Sequence, residues 1–193
     1  LKDLKIIELL KPFVYEILLR TVPKFLTTIP SVDYSQVLGR EKDFKEIVEK
    51  INETDKCFLI NGIGGIGKTT LAKYIVNKFK DEYDYVAWID CSTNIKEAFV
   101  FNPDLIASLL LTEEIKDIQK SSDYIDKCFD LIINKMRRLR NKNLLIIDNA
   151  KEDIEYTKIL DKILLRPYWK VIVTSRDKLT GFYAHELSHL NEK

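Results

Sequence analysis

The chain has 193 residues, of which 46% are hydrophobic, so it can bury the core of one domain and is too apolar for a disordered chain. Its 31 Lys and Arg nearly balance 30 Asp and Glu, leaving a net charge of +1 that favours neither nucleic acid nor a membrane surface as a partner. Three widely spaced cysteines do not form a disulfide framework, and no apolar run predicts a membrane-spanning helix, so we expect a cytoplasmic protein.

The hydrophobic pattern predicts alternating helices and short, continuously apolar strands. Residues 1–28 are predicted to form one or two helices, so we assign 1–30 to a helical extension or the remnant of an upstream module, and 31–193 to the main domain. Other helices are predicted at 41–51, at 69–80, through about 95–112 with an interruption near Pro103, and after a cap at Ser121 or Ser122. Predicted strands span 57–60, 85–89, 144–147, 171–174 and 183–187. This order indicates an α/β fold, a parallel sheet flanked by helices, with ligands at the carboxyl ends of its strands.

Four of the six glycines lie within residues 62–67. Residues 62–69, GIGGIGKT, fit the phosphate-binding pattern G-x-x-x-x-G-K-[ST] and lie between a predicted strand and a predicted helix. Backbone N–H groups of such a loop and the positive end of the helix dipole bind phosphate oxygens. Lys68 is predicted to neutralise the β- and γ-phosphates, and the Thr69 hydroxyl to bind Mg²⁺. The predicted nucleotide-binding residues here are Gly62, Gly64, Gly65, Ile66, Gly67, Lys68, Thr69 and Thr70.

Two further predicted strands end in charged residues. Asp148 follows four apolar residues, and its carboxylate is predicted to hold Mg²⁺ together with Thr69. Arg176 follows the strand at 171–174, where its guanidinium can bind a γ-phosphate bidentately and so distinguish ATP from ADP. The alternative is a surface pair with Asp177, and spacing alone favours neither. We count Lys68, Asp148 and Arg176 as candidate catalytic residues.

Five segments, taken in order, resemble the NB-ARC nucleotide-binding domain of the STAND class of P-loop NTPases over about residues 37–190. They are VLGRE at 37–41, GIGGIGKTTLA at 62–72, residues 79–92, RRLRNKNLLIIDNA at 137–150 and residues 171–177. The resemblance implies an ASCE-type sheet in which the Arg176 strand lies between the Gly62 and Asp148 strands. It also implies binding of ATP or ADP with Mg²⁺, and places Val37 and Arg40 near the adenine. In this family the nucleotide state controls self-association of the full-length protein into a signalling platform.

The sequence departs from the family pattern in two ways. Asn149 stands where the family usually has a second acid after the Walker B aspartate, and an amide cannot accept the proton of an attacking water. Hydrolysis is therefore expected to be slow or absent unless Glu152 or Asp153 substitutes. The sequence also starts at Leu1 and stops before the helical and winged-helix modules of the family, so we expect a fragment that binds nucleotide loosely.

Other patterns are weaker. Residues 185–189, HELSH, match the zinc motif H-E-x-x-H, but the motif requires a helix and we predict a strand there. The basic residues at 135–140 lie at a helix end, where cations are favoured by the dipole, so no nucleic-acid partner is predicted. The alternatives to a switch are a nucleotide-locked scaffold that never turns over and another P-loop enzyme, such as a kinase or a motor.

Overall fold

The computed structural model describes residues 23–53, 57–92, 94–151, 158 and 168–189. Most of the predicted N-terminal helical extension lies in residues 1–22, outside the described residues, as do Glu152 and Asp153.

The described strands form one parallel sheet. In chain order they are β1 (Phe58–Asn61), β2 (Tyr85–Asp90), β3 (Asn143–Ala150), β4 (Trp169–Ser175) and β5 (Tyr183–Glu186). Their spatial order is β2-β3-β4-β1-β5, and every neighbouring pair is parallel. The predicted α/β fold is confirmed, including the insertion of β4, which precedes Arg176, between β1 and β3. All five carboxyl ends therefore meet at one edge.

The helices of the described chain are α1 (Glu41–Glu53), α2 (Lys68–Phe79), α3 (Ile95–Val100), α4 (Pro103–Ser108), α5 (Thr112–Ile118) and α6 (Tyr124–Met136). Short 3-10 turns span Tyr34–Val37 and Lys80–Glu82.

One helix prediction is confirmed and another is wrong. The helical stretch predicted at 95–112, with an interruption near Pro103, is divided among α3, α4 and the start of α5. The interruption is confirmed, because the Asn102 side chain accepts a hydrogen bond from Leu105 N and Pro103 begins a new helix. The cap of α6 is Asp123 rather than Ser121 or Ser122. The Ser121 hydroxyl instead hydrogen-bonds the Asp123 carboxylate, so the serine contacts the cap residue.

The sheet is buried on both faces, which explains why its strands are continuous apolar runs. Helices α3 to α6 cover one face, where the core includes Phe99 and Phe129, and α1 and α2 cover the other, where it includes Ile47 and Leu71. Alternate strand residues face opposite layers: within β3, Leu145 and Ile147 join the first core and Leu144 and Ile146 the second. Burial of each such aliphatic side chain stabilises the fold by roughly 1.5–3 kcal/mol.

A short segment before the first 3-10 turn runs beside β2. Leu26 N donates to Val86 O, and Val86 N donates to Lys24 O, both at 2.8 Å. Leu26 is fully buried, and the Thr27 hydroxyl donates to Trp88 O at 3.0 Å. The predicted domain boundary at residues 30 and 31 stays a prediction, but residues 24–27 already contact the sheet.

Within the described ranges, no helix combines the length and the apolar character needed to cross a bilayer.

Candidate functional site

The glycine-rich segment forms a loop that joins β1 to the start of α2, the context that the sequence predicts. Gly62 has φ +148°, and a Cβ there would lie 2.9 Å from Leu187 O, so a side chain would collide with backbone. Gly67 caps α2 with φ +101°, a left-handed conformation that favours glycine. The glycines thus allow the chain to turn sharply and bring the first turn of α2 to the sheet edge.

Lys68, the first residue of α2, folds back over this loop. Its Nζ donates to Gly62 O at 2.8 Å and to Ile63 O at 2.9 Å, and the residue is only 9% exposed. Burial lowers the pKa of Lys68, and the positive charge of Arg176 lowers it further, while Asp148 acts in the opposite direction. This cation is desolvated and repelled by a second cation, so a bound anion would stabilise its charged form.

Asp148 and Thr69 meet at the carboxyl edge of β3. The Thr69 hydroxyl donates to Asp148 Oδ1 at 2.9 Å, and the Thr174 hydroxyl hydrogen-bonds the same oxygen. Asp148 is 3% exposed, so its carboxylate is held in a fixed position. A hydroxyl and a carboxylate are oxygen donors of the kind that Mg²⁺ requires. The two predicted metal ligands are therefore adjacent, although their role as ligands stays a prediction.

Arg176 directly follows β4 and lies over the loop. Its guanidinium carbon is 3.4 Å from the position that a Cβ on Gly64 would occupy. This position, facing the loop, is the one that the γ-phosphate sensor hypothesis requires. Sensing itself stays a prediction.

An open cleft of about 590 Å³ lies between the loop and the strand ends. Its walls combine the loop, the first turn of α2 and the segments that follow β2, β3 and β4. The lining residues are Gly64, Gly65, Gly67, Lys68, Thr69, Thr70, Ser92, Asn149, Ala150, Lys151, Ser175, Arg176 and Asp177. Six of the predicted nucleotide-binding residues and Arg176 thus line the same cavity, which is large enough for a polyphosphate.

Val37 and Arg40, the residues expected near the adenine, are both buried. Arg40 Nη1 donates to Asp43 Oδ2 at 3.0 Å and to Ser188 O at 2.8 Å, and its Nη2 donates to Ile66 O at 2.9 Å. The guanidinium therefore ties α1 and the chain after β5 to the loop. A second cavity of about 830 Å³ is lined in part by Arg40. The position of the base stays a prediction.

His185 of the HELSH segment lies on β5, so the predicted strand is confirmed there. Its Nε2 is 2.8 Å from Asp43 Oδ1, and its Nδ1 is 3.8 Å from Glu46 Oε2. Burial raises the pKa of Asp43, but hydrogen bonds from His185 and Arg40 outweigh it and the pKa is lowered. No group of three or more His, Cys, Asp or Glu side chains among the described residues is arranged to hold a metal ion. The histidine joins β5 to α1.

Sequence reasoning missed Asp90, which ends β2. It is the register partner of Asp148 on β3, and its Oδ1 accepts a hydrogen bond from Asn149 Nδ2 at 3.2 Å. The signal was available, because Asp90 follows an apolar run just as Asp148 does. Only the sheet order shows that the two runs are adjacent.

Comparison with known proteins gives a family model, the NB-ARC domain, that matches residues 40–190. Similar proteins from Arabidopsis thaliana include the putative disease resistance protein At1g59780, 31% identical over 156 residues, which are 78% of this chain and 16% of that protein. The probable disease resistance protein RXW24L is 29% identical over 145 residues, 72% of this chain and 15% of that protein. The chain therefore corresponds to a small part of the length of these relatives.

Among solved structures, AMPPCP-bound DnaA from Aquifex aeolicus matches with a TM-score of 0.46 and 18% identity. The match covers 78% of this chain and 46% of that chain.

Proposed function

Because this chain belongs to the NB-ARC domain family, of the STAND class of P-loop NTPases, we propose that it is the ATP- and ADP-binding switch of a signalling protein. The observation that carries the proposal is the arrangement of Lys68, Arg176 and the Thr69–Asp148 pair around one glycine-rich loop. Two cations and two oxygen ligands at the start of a helix match the charge pattern of a nucleoside triphosphate with its metal.

Phosphate binding is the first step. The N–H groups of the loop and of the first turn of α2 provide positive dipole ends, and Lys68 adds a full charge. In the described structure its Nζ donates to Gly62 O and Ile63 O, and we propose that phosphate oxygens take over those hydrogen bonds. A bound polyphosphate would also offset the repulsion between Lys68 and Arg176.

The Thr69 hydroxyl and the Asp148 carboxylate would hold Mg²⁺, and the ion would supply neutralisation of charge on the β- and γ-phosphates. Thr174 orients the Asp148 carboxylate from β4, so the ligand cannot rotate away freely. Arg176, which directly follows β4, would contact the γ-phosphate. β4 would therefore position both the hydroxyl that orients Asp148 and the phosphate sensor.

We propose that Arg176 distinguishes ATP from ADP and that this difference controls self-association of the longer protein in defence or cell-death-type signalling in the cytoplasm. The relatives named as disease resistance proteins support this output. Hydrolysis is proposed to be slow, because Asn149 replaces the usual second acid. The same residue favours a second candidate, a scaffold that binds nucleotide without turnover.

Substitution of the loop lysine tests the proposal. In titrations with fluorescent ATP and ADP in the presence of Mg²⁺, Lys68→Ala should raise Kd roughly 10- to 100-fold, since charge-assisted hydrogen bonds contribute about 1.5–3 kcal/mol. Lys78→Ala is the matched control, because Lys78 lies on the same helix but is exposed in its last turn. Equal affinity of the Lys68 variant and the parent would overturn the proposal.

A further inference from the structure

Two neighbouring strands carry aspartates at the same level of the sheet: Asp90 is the last residue of β2, and Asp148 lies two residues before the end of β3. Asp90 and Asp148 are register partners in these parallel strands, so both lie at the edge where the glycine-rich loop begins. Their surroundings differ: Asp148 is buried beneath Thr69 and Thr174, whereas Asp90 is exposed to solvent. The buried carboxylate suits a metal ligand, and the exposed one can be reached by water.

Asn149 connects this exposed carboxylate to the cleft. Its Nδ2 donates to Asp90 Oδ1 at 3.2 Å, and its backbone N donates to Thr174 Oγ1 at 3.0 Å. Asp90 Oδ1 also accepts a hydrogen bond from Ser92 N at 3.1 Å. Ser92 and Asn149 line the phosphate cleft. One carboxylate oxygen of Asp90 therefore accepts hydrogen bonds from two residues that border the proposed triphosphate site.

The geometry points to Asp90 as the proton acceptor for the water that attacks the γ-phosphate of ATP. This inference rests on the proposed function and supplies the base that Asn149 cannot be. The proposed base thus lies one strand away from the family's usual position: the usual second acid follows Asp148 on β3, whereas Asp90 lies beside Asp148 on β2. The Asn149 amide orients the Asp90 carboxylate, so Asp90 is the catalytic residue and Asn149 a positioning residue.

In this reaction the water oxygen forms a bond to the γ-phosphorus, and the bond from that phosphorus to the β,γ-bridging oxygen breaks. The bridging oxygen keeps the electron pair and leaves as part of ADP. The proton of the attacking water passes to the Asp90 carboxylate and from there to solvent. The products are ADP, inorganic phosphate and a proton.

The test separates turnover from binding. In steady-state assays with ATP and Mg²⁺, Asp90→Asn should lower kcat at least about tenfold, since general bases contribute roughly 10²- to 10⁴-fold. KM and the Kd for fluorescent ATP should stay unchanged. Asp84→Asn, just before β2 at the opposite end of the strand, is the charge-matched control and should keep the parent kcat.

The variant Asn149→Gly tests the role beyond structure. Asn149 has φ +62°, which glycine adopts freely, so the substitution removes the amide without adding backbone strain. It should lower the kcat of the parent but leave the kcat of Asp90→Asn unchanged, because the amide acts through the Asp90 carboxylate. A merely structural hydrogen bond gives no reason for the loss of turnover to depend on Asp90.

Several results would overturn the inference. Asp90→Asn could keep the parent kcat, Asn149→Gly could lower kcat equally with and without the Asp90 carboxylate, or Glu152→Gln or Asp153→Asn could remove turnover that Asp90→Asn leaves intact. A parent chain that binds ATP without any turnover would overturn the inference and leave the proposed nucleotide switch standing. A parent that binds no nucleotide would overturn both.

Discussion

Lys68 and Arg40 are both buried cations that contact the glycine-rich loop, but their environments are opposite. Arg40 has a carboxylate at 3.0 Å and donates to two backbone carbonyls that belong to different segments. Lys68 donates to carbonyls of the loop itself, and burial and Arg176 lower its pKa. A cation that is paired inside the protein holds the fold together, whereas one that is buried beside a second cation is prepared to bind an anion.

The largest effect expected from this comparison is on stability. Arg40→Ala should lower the free energy of unfolding by about 3 kcal/mol, because it breaks a buried ion pair and leaves the carbonyls of Ile66 and Ser188 without their donor. Urea denaturation of the purified protein measures this. Lys42→Ala, at an exposed position in the first turn of α1, is the control and should change the free energy of unfolding by less than about 0.5 kcal/mol. Equal stability of the Arg40 variant would contradict a structural role.

A smaller effect concerns pH. The pKa of Asp43 in the folded protein lies below its ordinary value of 3.8, so the folded state binds fewer protons there than the unfolded state. Its contribution is fully present above 3.8 and is lost as the pH falls through the folded-state pKa. Asp43→Asn should therefore cost about 1–2 kcal/mol at neutral pH and progressively less in acid.

Denaturation of the Asp43 variant and the parent between neutral pH and pH 3 measures that convergence. A difference that stays constant or grows in acid would show that the Asp43 carboxylate is not the group that stabilises the junction of α1 and β5.

The smallest effect is on the ligand-free stability of the Lys68 variant. Lys68→Ala should change the free energy of unfolding by less than about 1 kcal/mol, because relief of desolvation and of repulsion by Arg176 offsets two lost hydrogen bonds. The denaturation series that measures Arg40→Ala also measures this. Lys68→Ala would then weaken nucleotide binding without destabilising the fold. A decrease of about 2 kcal/mol or more in the free energy of unfolding would contradict the contrast between Lys68 and Arg40.

Much of the fold was predictable because its signals are local. The continuous apolar runs of the strands and the helix that follows GIGGIGKT are properties of short segments, and the structure confirms them. The interruption of 95–112 near Pro103 was predictable for the same reason, because proline is a local signal, whereas the cap that Asn102 provides is seen only in the structure. The predicted α6 cap was wrong by one or two residues, because serine and aspartate are both good caps and residue type does not choose between them. Asp123 occupies the cap position without a capping hydrogen bond from its side chain.

The sequence by itself determined the loop, its lysine and the acid near the end of β3, because the patterns that mark them lie within a few consecutive residues. Only the tertiary structure decided how Arg40 and His185 are used, and which carboxylate lies beside Asn149. Those contacts join residues up to 148 positions apart along the chain. Their geometry follows from the order of strands in the sheet. Whether a buried cation stabilises the fold or remains available for a ligand depends on whether it is paired with a carboxylate, and residue type alone does not reveal that.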